Sequence, residues 1–450
     1  PIPSSVETDI ASAILYHDGS IYLGLVPDLW RIQDLDGDGE FETKTALSSG
    51  WGIHIGFGGH AMSGLKVGPD GRIYWGIGDI GFNDVDQDGK RWAYPRQGVL
   101  ARCEPDGSGF EVYAHGLRNV HEFDWDAYGN LIGVDNDGDH AGEEERIVYL
   151  IDGSDTGWRN NWQLGKYTDE KNNAYKVWMD ELYFKPRFER QAAHILPPLA
   201  NYHSGPAGLV FQPGTALGGR WQDHFFVASF TGEPVNSGVY AYSLKPDGAS
   251  FALENDEEIF MGVTAVGIDF GPAGELFMAD WGGGWDTDGI GRVWKLDTVG
   301  GSSEAARKTR ELLGMDFTKK SDDWLASLLG AADRRVRLKS QFELAKRGAG
   351  ETLATIAESG SSLLARIHGI WGLGQLARAG EGTEGTLVAL LDDEDAEIRA
   401  QAARMLGDLR HAPATEALLT ALQENDPRIQ LMATEALGRI GAKEAFGGIV

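Results

Sequence analysis

Between residue 1 and about residue 298, short apolar stretches alternate with polar turn tetrapeptides, as in "ILYHDGSIYLGL", "LKVGPDGRIYWGI", "FDWDAYGNLIGVD" and "IDFGPAGELFMAD". Apolar runs of this length between Gly-, Asp- and Pro-containing turns predict antiparallel hairpins. A second phrase recurs between them: "GVLARCEPDGSGFEVYAHGL" from Gly98, "GVYAYSLKPDGASFALE" from Gly238 and "GRVWKLD" from Gly291. The turn glycines Gly71 and Gly129 lie 58 positions apart (129 − 71), a period suited to a four-stranded propeller blade. At about 50 residues per blade, this part of the chain predicts an all-β, six-bladed β-propeller. Its loops, gathered at the mouth of a central channel, are where chemistry is expected.

From Ser302 onward the apolar period becomes helical. Leu344, Leu373, Leu406 and Leu437 sit in the related phrases "FELAKRG", "WGLGQLARAG", "RMLGDLR" and "EALGRIG", at intervals of 29, 33 and 31 (373 − 344, 406 − 373, 437 − 406). The paired segments "DAEIRAQAARMLGDL" and "DPRIQLMATEALGRI" resemble the HEAT family, which implies an all-α HEAT-repeat solenoid, a surface for protein partners or a spacer. The expected organisation is therefore a propeller over 1–298, a linker over 299–319 and helical repeats over 320–450. The last repeat reads as cut short, and the opening "PIPSSVETD" has no methionine, so a piece of a longer chain or one with its leader removed is expected.

Composition narrows the partners. Lys+Arg 40 against Asp+Glu 68 gives a net charge of -28, which opposes binding to nucleic acid and to anionic lipid. The single cysteine, Cys103, rules out an internal disulfide framework and any multi-thiolate metal site. No apolar run reaches membrane-spanning length. Twelve of the 14 tryptophans precede residue 300, and most are expected to pack between blades.

Acidic loops supply candidate metal sites. "DLDGDGEFE" places Asp34, Asp36, Asp38 and Glu42 at positions 1, 3, 5 and 9 with Gly39 at position 6, a spacing that wraps carboxylate oxygens around Ca²⁺. Thr45 stands where an EF-hand would carry its bidentate glutamate, so this is a calcium loop of another kind. "DVDQDG" (Asp84, Asp86, Asp88) fits a calcium loop or a solvated turn equally well. In "DNDGDHAGEEER" so many like charges follow a strand end that a cation is expected among them, and a metal is assigned near Asp135 and Asp137.

The stretch "GFGGHAMSGLKVGPDGRIYWGIGDIG" holds His60 in a glycine-rich turn ahead of a strand, where imidazole has no role in forming the turn. Together with "GLRNVHEFDWDAYGNLIGVDNDGD" and "SDTGWR", in that order, it resembles the soluble quinoprotein sugar dehydrogenases, over most of residues 10 to 298. With the C-terminal repeats added, the chain is similar to large membrane-bound dehydrogenases of planctomycete and verrucomicrobial type, which join such a propeller to HEAT repeats and often to a c-type haem domain. The resemblance implies pyrroloquinoline quinone (PQQ) and Ca²⁺ as cofactors, His60 as general base, Arg118 and Asn119 as quinone contacts, and the acidic loop from Asp135 as the cofactor's calcium site. It also implies a small sugar or alcohol substrate, a cytochrome c or fused haem domain as electron acceptor, and a periplasmic or secreted location.

The chemistry is consistent: hydride can leave a carbinol carbon only as the hydroxyl proton passes to a base, and neutral imidazole suits that role. Two residues, Ala61 and Met62, separate His60 from "SG" where the quinoprotein pattern has one, which keeps His54 open as the base. Gln212 and Val266 or Gly267 stand where that pattern has cations. Lys176, Lys185, Arg187 and Arg190, in an excursion over 167–191, are alternative sources of positive charge. Two other readings remain open: a non-enzymatic calcium-stabilised module binding glycan or protein, and a metal-dependent hydrolase built on His121, Asp135 and His203.

Overall fold

The computed structural model describes residues 11–52, 59–138, 144–160, 177–188, 195–284, 289–445 and 447. The first blade is a meander of β1 (Ala11–His17), β2 (Ser20–Leu25), β3 (Asp28–Gln33) and β4 (Thr43–Ser48). The second is built on β5 (Met62–Val67) and β6 (Ile73–Ile77). From it a separate hairpin of β7 (Gly81–Val85) and β8 (Arg91–Pro95) stands off before β9 (Gly98–Cys103) and β10 (Glu111–Leu117) complete the sheet. The third comprises β11 (Val120–Trp125), β12 (Leu131–Asp135) and β13 (Glu145–Leu150). The chain then returns to the second blade through β14 (Ser154–Asp155), parallel to β10, before β15 (Ala200–Tyr202) closes the third. The fourth holds β16 (Pro206–Phe211), β17 (His224–Ser229), β18 (Gly238–Asp247) and β19 (Ser250–Met261). The fifth holds β20 (Ala265–Phe270), β21 (Leu276–Asp280) and β22 (Arg292–Leu296).

Among the described residues the propeller has five blades, which corrects the expected six. Dividing length by a blade period fails because the hairpin of the second blade and the described part of the excursion between β14 and β15 consume residues without adding a blade. The first strands of successive blades, β1, β5, β11, β16 and β20, pack side by side around the axis in that order. Blades are glued by aromatic residues, as when Trp51 stacks on Phe82 at 4.0 Å and meets Trp75 edge-on at 5.2 Å. Trp125, Trp158 and Trp178 are also buried, whereas Trp281 and Trp294 of the fifth blade are exposed.

Nine helices follow among the described residues. After α1 (Val177–Asp180) in the excursion, they are α2 (Glu304–Leu313), α3 (Asp322–Leu328), α4 (Arg334–Lys346), α5 (Gly350–Ser359), α6 (Leu363–Arg378), α7 (Glu384–Ala389), α8 (Ala396–Asp408), α9 (Thr415–Ala421) and α10 (Pro427–Ile440). The expected linker over 299–319 already contains α2, whose N-cap Ser303 accepts from the Ala306 N–H. Asp395 and Asp426 cap α8 and α10 in the same way, with Pro427 in the first turn of α10 where its missing N–H costs nothing. Leu344, Leu373, Leu406 and Leu437 are all buried in one continuous helical core. Gly407 allows α8 to lie against α10, since a Cβ there would fall 2.4 Å from the Ala436 Cα.

The solenoid lies across one face of the propeller, on the turns that join each blade's first two strands. Lys346 pairs with Asp18 of the first blade; Gln341 donates to the Pro69 carbonyl of the second at 2.8 Å. Gln401 and Arg404 donate to the carbonyls of Tyr128 and Gly129 in the third, the Arg334 N–H to that of Pro213 in the fourth, and Arg335 to those of Phe270 and Gly271 in the fifth. The equivalent turn glycines Gly71 and Gly129 lie here, both with φ near +80°.

Candidate active site

The opposite face collects the entries to the first strands and the ends of the second strands. His60 precedes β5, and its Nδ1 lies 2.7 Å from Asp79 Oδ1, two residues beyond β6. Asp79 Oδ2 accepts from Asn160 Nδ2 at 2.9 Å and Trp158 Nε1 at 3.1 Å. Burial alone would raise the Asp79 carboxyl, but the hydrogen bonds and charge of His60, with Asn160 and Arg118, hold it below the usual carboxylate range. An ionised Asp79 accepts Nδ1–H and leaves His60 Nε2 as the acceptor, the tautomer a general base needs. Asp79 was not among the site residues expected from the sequence. Its signal was the "IGD" that ends the strand after His60.

Asn119 is in contact with the same group. Its Nδ2 donates to His121 Nε2 at 2.9 Å, and a Cβ on Gly78 would fall 2.7 Å from its Oδ1 and 2.8 Å from the His60 Cβ, so glycine is needed there for close packing. Burial, with the nearby charges of His60 and Arg118, lowers His121 to about 4, so this second ring stays neutral. Arg118 donates to the backbone carbonyl and side-chain oxygen of Asn136, each at 2.7 Å, and its guanidinium lies 5.7 Å from the Trp158 ring centre. The structure therefore brings His60, Arg118 and Asn119 together. His54 falls outside the described residues.

Asp135 and Asp137 are both engaged by arginine in this structure. Asp135 accepts the backbone N–H groups of Arg118 and Asn119 and the guanidinium of Arg146, its cross-strand partner on β13. Arg146 Nε also lies 2.6 Å from Asp137. Among the described residues the cation beside these two carboxylates is Arg146, placed by strand register; Asp139 and Glu143 lie outside the described residues. Asp280, at the equivalent register position of the fifth blade, likewise accepts from Thr264 at the entry to β20, so these aspartates latch strand ends. Glu145 accepts from the N–H groups of Asp137, Gly138 and Gly205, and burial pushes it up to about 7.

Asp34, Asp36, Asp38 and Glu42 converge in an exposed loop, each offering an oxygen within 4.8 Å of the others. Among the described residues this is the one such group that could hold a metal ion. Asp86 is used by its own turn, accepting from the N–H groups of Asp88 and Lys90 and from Trp92. His203 pairs with Asp256 on the outer strand of the fourth blade and stacks on Tyr240, away from the Asp135 latch, so the hydrolase cluster does not assemble. Gln212 turns to the Ala216 carbonyl at the solenoid side. Lys185 and Arg187 face Glu144 and Glu181; Lys176 and Arg190 lie outside the described residues.

A family model described as "Domain of unknown function (DUF7133)" matches residues 7–283, and one for HEAT repeats matches residues 383–446. No curated protein matches by sequence. Among solved structures, a glucose dehydrogenase is similar at 14% identity over 64% of this chain and 82% of its own, with a TM-score of 0.44. The PQQ domain of pyranose dehydrogenase from Coprinopsis cinerea is similar at 16% identity over 61% and 91%, with a TM-score of 0.27. A luciferin-regenerating enzyme is similar at 13% identity over 66% and 80%, with a TM-score of 0.34. At these scores none of them assigns chemistry to this chain.

Proposed function

The chain belongs to the family of the domain of unknown function DUF7133, and for it we propose a quinone-dependent oxidoreductase that removes hydride from the carbinol carbon of a sugar or other alcohol. The observation that carries this reading is the His60–Asp79 pair at 2.7 Å. His60 Nε2 takes the hydroxyl proton as the C–H bond breaks, and Asp79 stabilises the imidazolium that forms. Losing such a base costs about 10²- to 10⁴-fold in rate.

PQQ is the acceptor proposed, and when bound it takes up the hydride. Its carboxylates call for cations and amides, and Arg118 and Asn119 are the residues beside His60 that would hold it. The Asn119 Oδ1 is a buried acceptor with no partner among the described residues, which an N–H or O–H of an occupant would satisfy. Ca²⁺ is assigned to the Asp34 loop. A periplasmic or extracellular location and a cytochrome c-type electron acceptor belong to the same proposal. The side of the solenoid turned away from the propeller is the surface left for a protein partner.

The test is equilibrium binding of PQQ in the presence of Ca²⁺, followed by a screen of sugars and alcohols with an artificial electron acceptor. Binding is expected to weaken in Arg118→Ala, and turnover to vanish in His60→Ala with binding retained. A wild-type chain that neither binds PQQ nor oxidises any substrate would overturn the reading in favour of a glycan- or protein-binding module.

A further inference from the structure

His60 can be a base only while Asp79 keeps one oxygen aimed at Nδ1, and what fixes that carboxylate comes from a distant part of the chain. The short strand β14 leaves the third blade and runs beside β10 of the second. Beyond it the backbone is pinned: the Thr156 N–H donates to the His115 carbonyl at 3.0 Å, the Trp158 N–H to Gly116 at 2.7 Å and the Asn160 N–H to Arg96 at 2.9 Å. Arg146 adds a hydrogen bond to the Thr156 carbonyl at 2.8 Å. Gly157, at φ +96°, supplies the left-handed turn that sends Trp158 inward, and a Cβ there would fall 2.7 Å from Ile195. The indole packs edge-on against Trp178 at 4.7 Å, and Phe184 completes a small apolar cluster.

This segment delivers two N–H donors to Asp79 Oδ2, one from Trp158 and one from Asn160, while Oδ1 is left to His60. The arrangement divides the carboxylate. Two donors on one oxygen oppose rotation of the group and favour its ionised form, so the other oxygen is a fixed acceptor for Nδ1–H. Among the described residues no lysine or arginine forms an ion pair with Asp79, so these two donors add to the hydrogen bond and charge of His60 and the more distant charge of Arg118 in holding the carboxylate. Trp158 is buried and also serves the core, whereas Asn160 is half-exposed and can be changed with little effect on packing.

We propose that Asn160 is a positioning residue for the His60 base, acting through Asp79 together with the Trp158 N–H. The proposal rests on the reading of His60 as a base, but its readout does not require turnover. With ¹⁵N-labelled histidine in the full chain, the His60 signals, assigned by loss in His60→Gln, report which ring nitrogen carries the proton. In the wild type at a pH where the ring is neutral, Nδ1 should be protonated and Nε2 bare. Asn160→Ala should shift both nitrogens toward the average expected for mixed tautomers. Trp158→Phe, which removes the N–H and keeps a ring in place, should do so to a lesser degree, and the double variant should match Asp79→Asn.

If the wild type oxidises an alcohol, Asn160→Ala should lower kcat by up to about 10²-fold with KM little changed, the effect of a misplaced rather than a missing group. A tautomer shift without any turnover in the wild type supports the positioning role and removes the dehydrogenase reading. Folded Asn160→Ala and Trp158→Phe chains whose His60 signals match the wild type overturn the positioning role, whatever the activity.

Discussion

Asp408, the last residue of α8, is where propeller and solenoid depend on each other most. Its carboxylate receives Arg72 of the second blade through both oxygens, at 2.5 and 2.6 Å, and Arg102 at 2.8 Å. From the solenoid, Arg439 pairs with Glu111 at 3.1 Å and with Asp152 at 2.5 Å on the propeller. Burial opposes ionisation of Asp408, but Arg72, Arg102, Arg378 and Arg439 hold it far below the usual carboxylate range. Replacing Asp408 by Asn keeps the volume and leaves buried guanidinium groups short of one negative charge. Breaking a buried pair from one side costs about 3–5 kcal/mol.

The calorimetric signature depends on the size of the cooperative unit. If all 450 residues unfold together, the unfolding entropy is roughly 0.9 kcal/mol/K, and Asp408→Asn lowers Tm by about 3–5 °C in a single peak. If the solenoid melted alone, its entropy would be about 0.3 kcal/mol/K, and its own peak would fall by roughly 10–17 °C while the propeller peak stayed in place. The interlocked charges predict the first outcome, and they predict that a propeller cut off near residue 300 is much less stable than the whole. Glu416→Gln, on an exposed part of the solenoid, is the control and should change stability by no more than about 0.5 kcal/mol. Two wild-type transitions, with an unchanged Tm in Asp408→Asn, would mean that propeller and solenoid unfold independently and that the junction charges do not couple them.

Three further outcomes are expected. Asp70 and Glu111 are held down to about 2 by the arginines of this junction against the effect of burial, so their stabilisation is complete above the unfolded carboxyl range near 4; it is lost as the pH falls from there toward 2, measurable by denaturant titration across that window. Burial lifts Glu122 to about 7, so its ionisation penalises the native state as the pH rises from about 4 to 7; Glu122→Gln should be stabilising at pH 8 and close to neutral at pH 4, read from paired melting curves. Chelation of Ca²⁺ should lower Tm, by about 2.7 kcal/mol of stability if free calcium had stood at 100 times Kd, and Asp34→Asn with Asp36→Asn should abolish the difference; calcium-independent melting would remove calcium from the Asp34 loop.

What could be read from the sequence was whatever repeats locally. The hairpin turns at Gly71 and Gly129 and the leucines from Leu344 to Leu437 occupy equivalent places in successive units, and periodicity finds such positions because each unit solves the same packing problem. Blade number was not legible in this way, since the hairpin β7–β8 and the segment between β14 and β15 are insertions that no period reveals. The pairing of the acidic loop was not legible for a related reason: Arg146 is eleven positions beyond Asp135 in sequence and directly opposite it in the sheet, so this compensating charge belongs to the strand register. Proximity in sequence located His60, Arg118 and Asn119, which lie at strand entries on one face. It could not connect Asp79 with Asn160, or Arg72 with Asp408, because those pairs exist only after the blades have assembled and the solenoid has docked. The two least legible features are therefore the carboxylate behind the base and the charges beneath the blades. Both are buried acids whose partners arrive from other units of the fold, and for that reason each can be tested by removing a partner that no local pattern would have singled out.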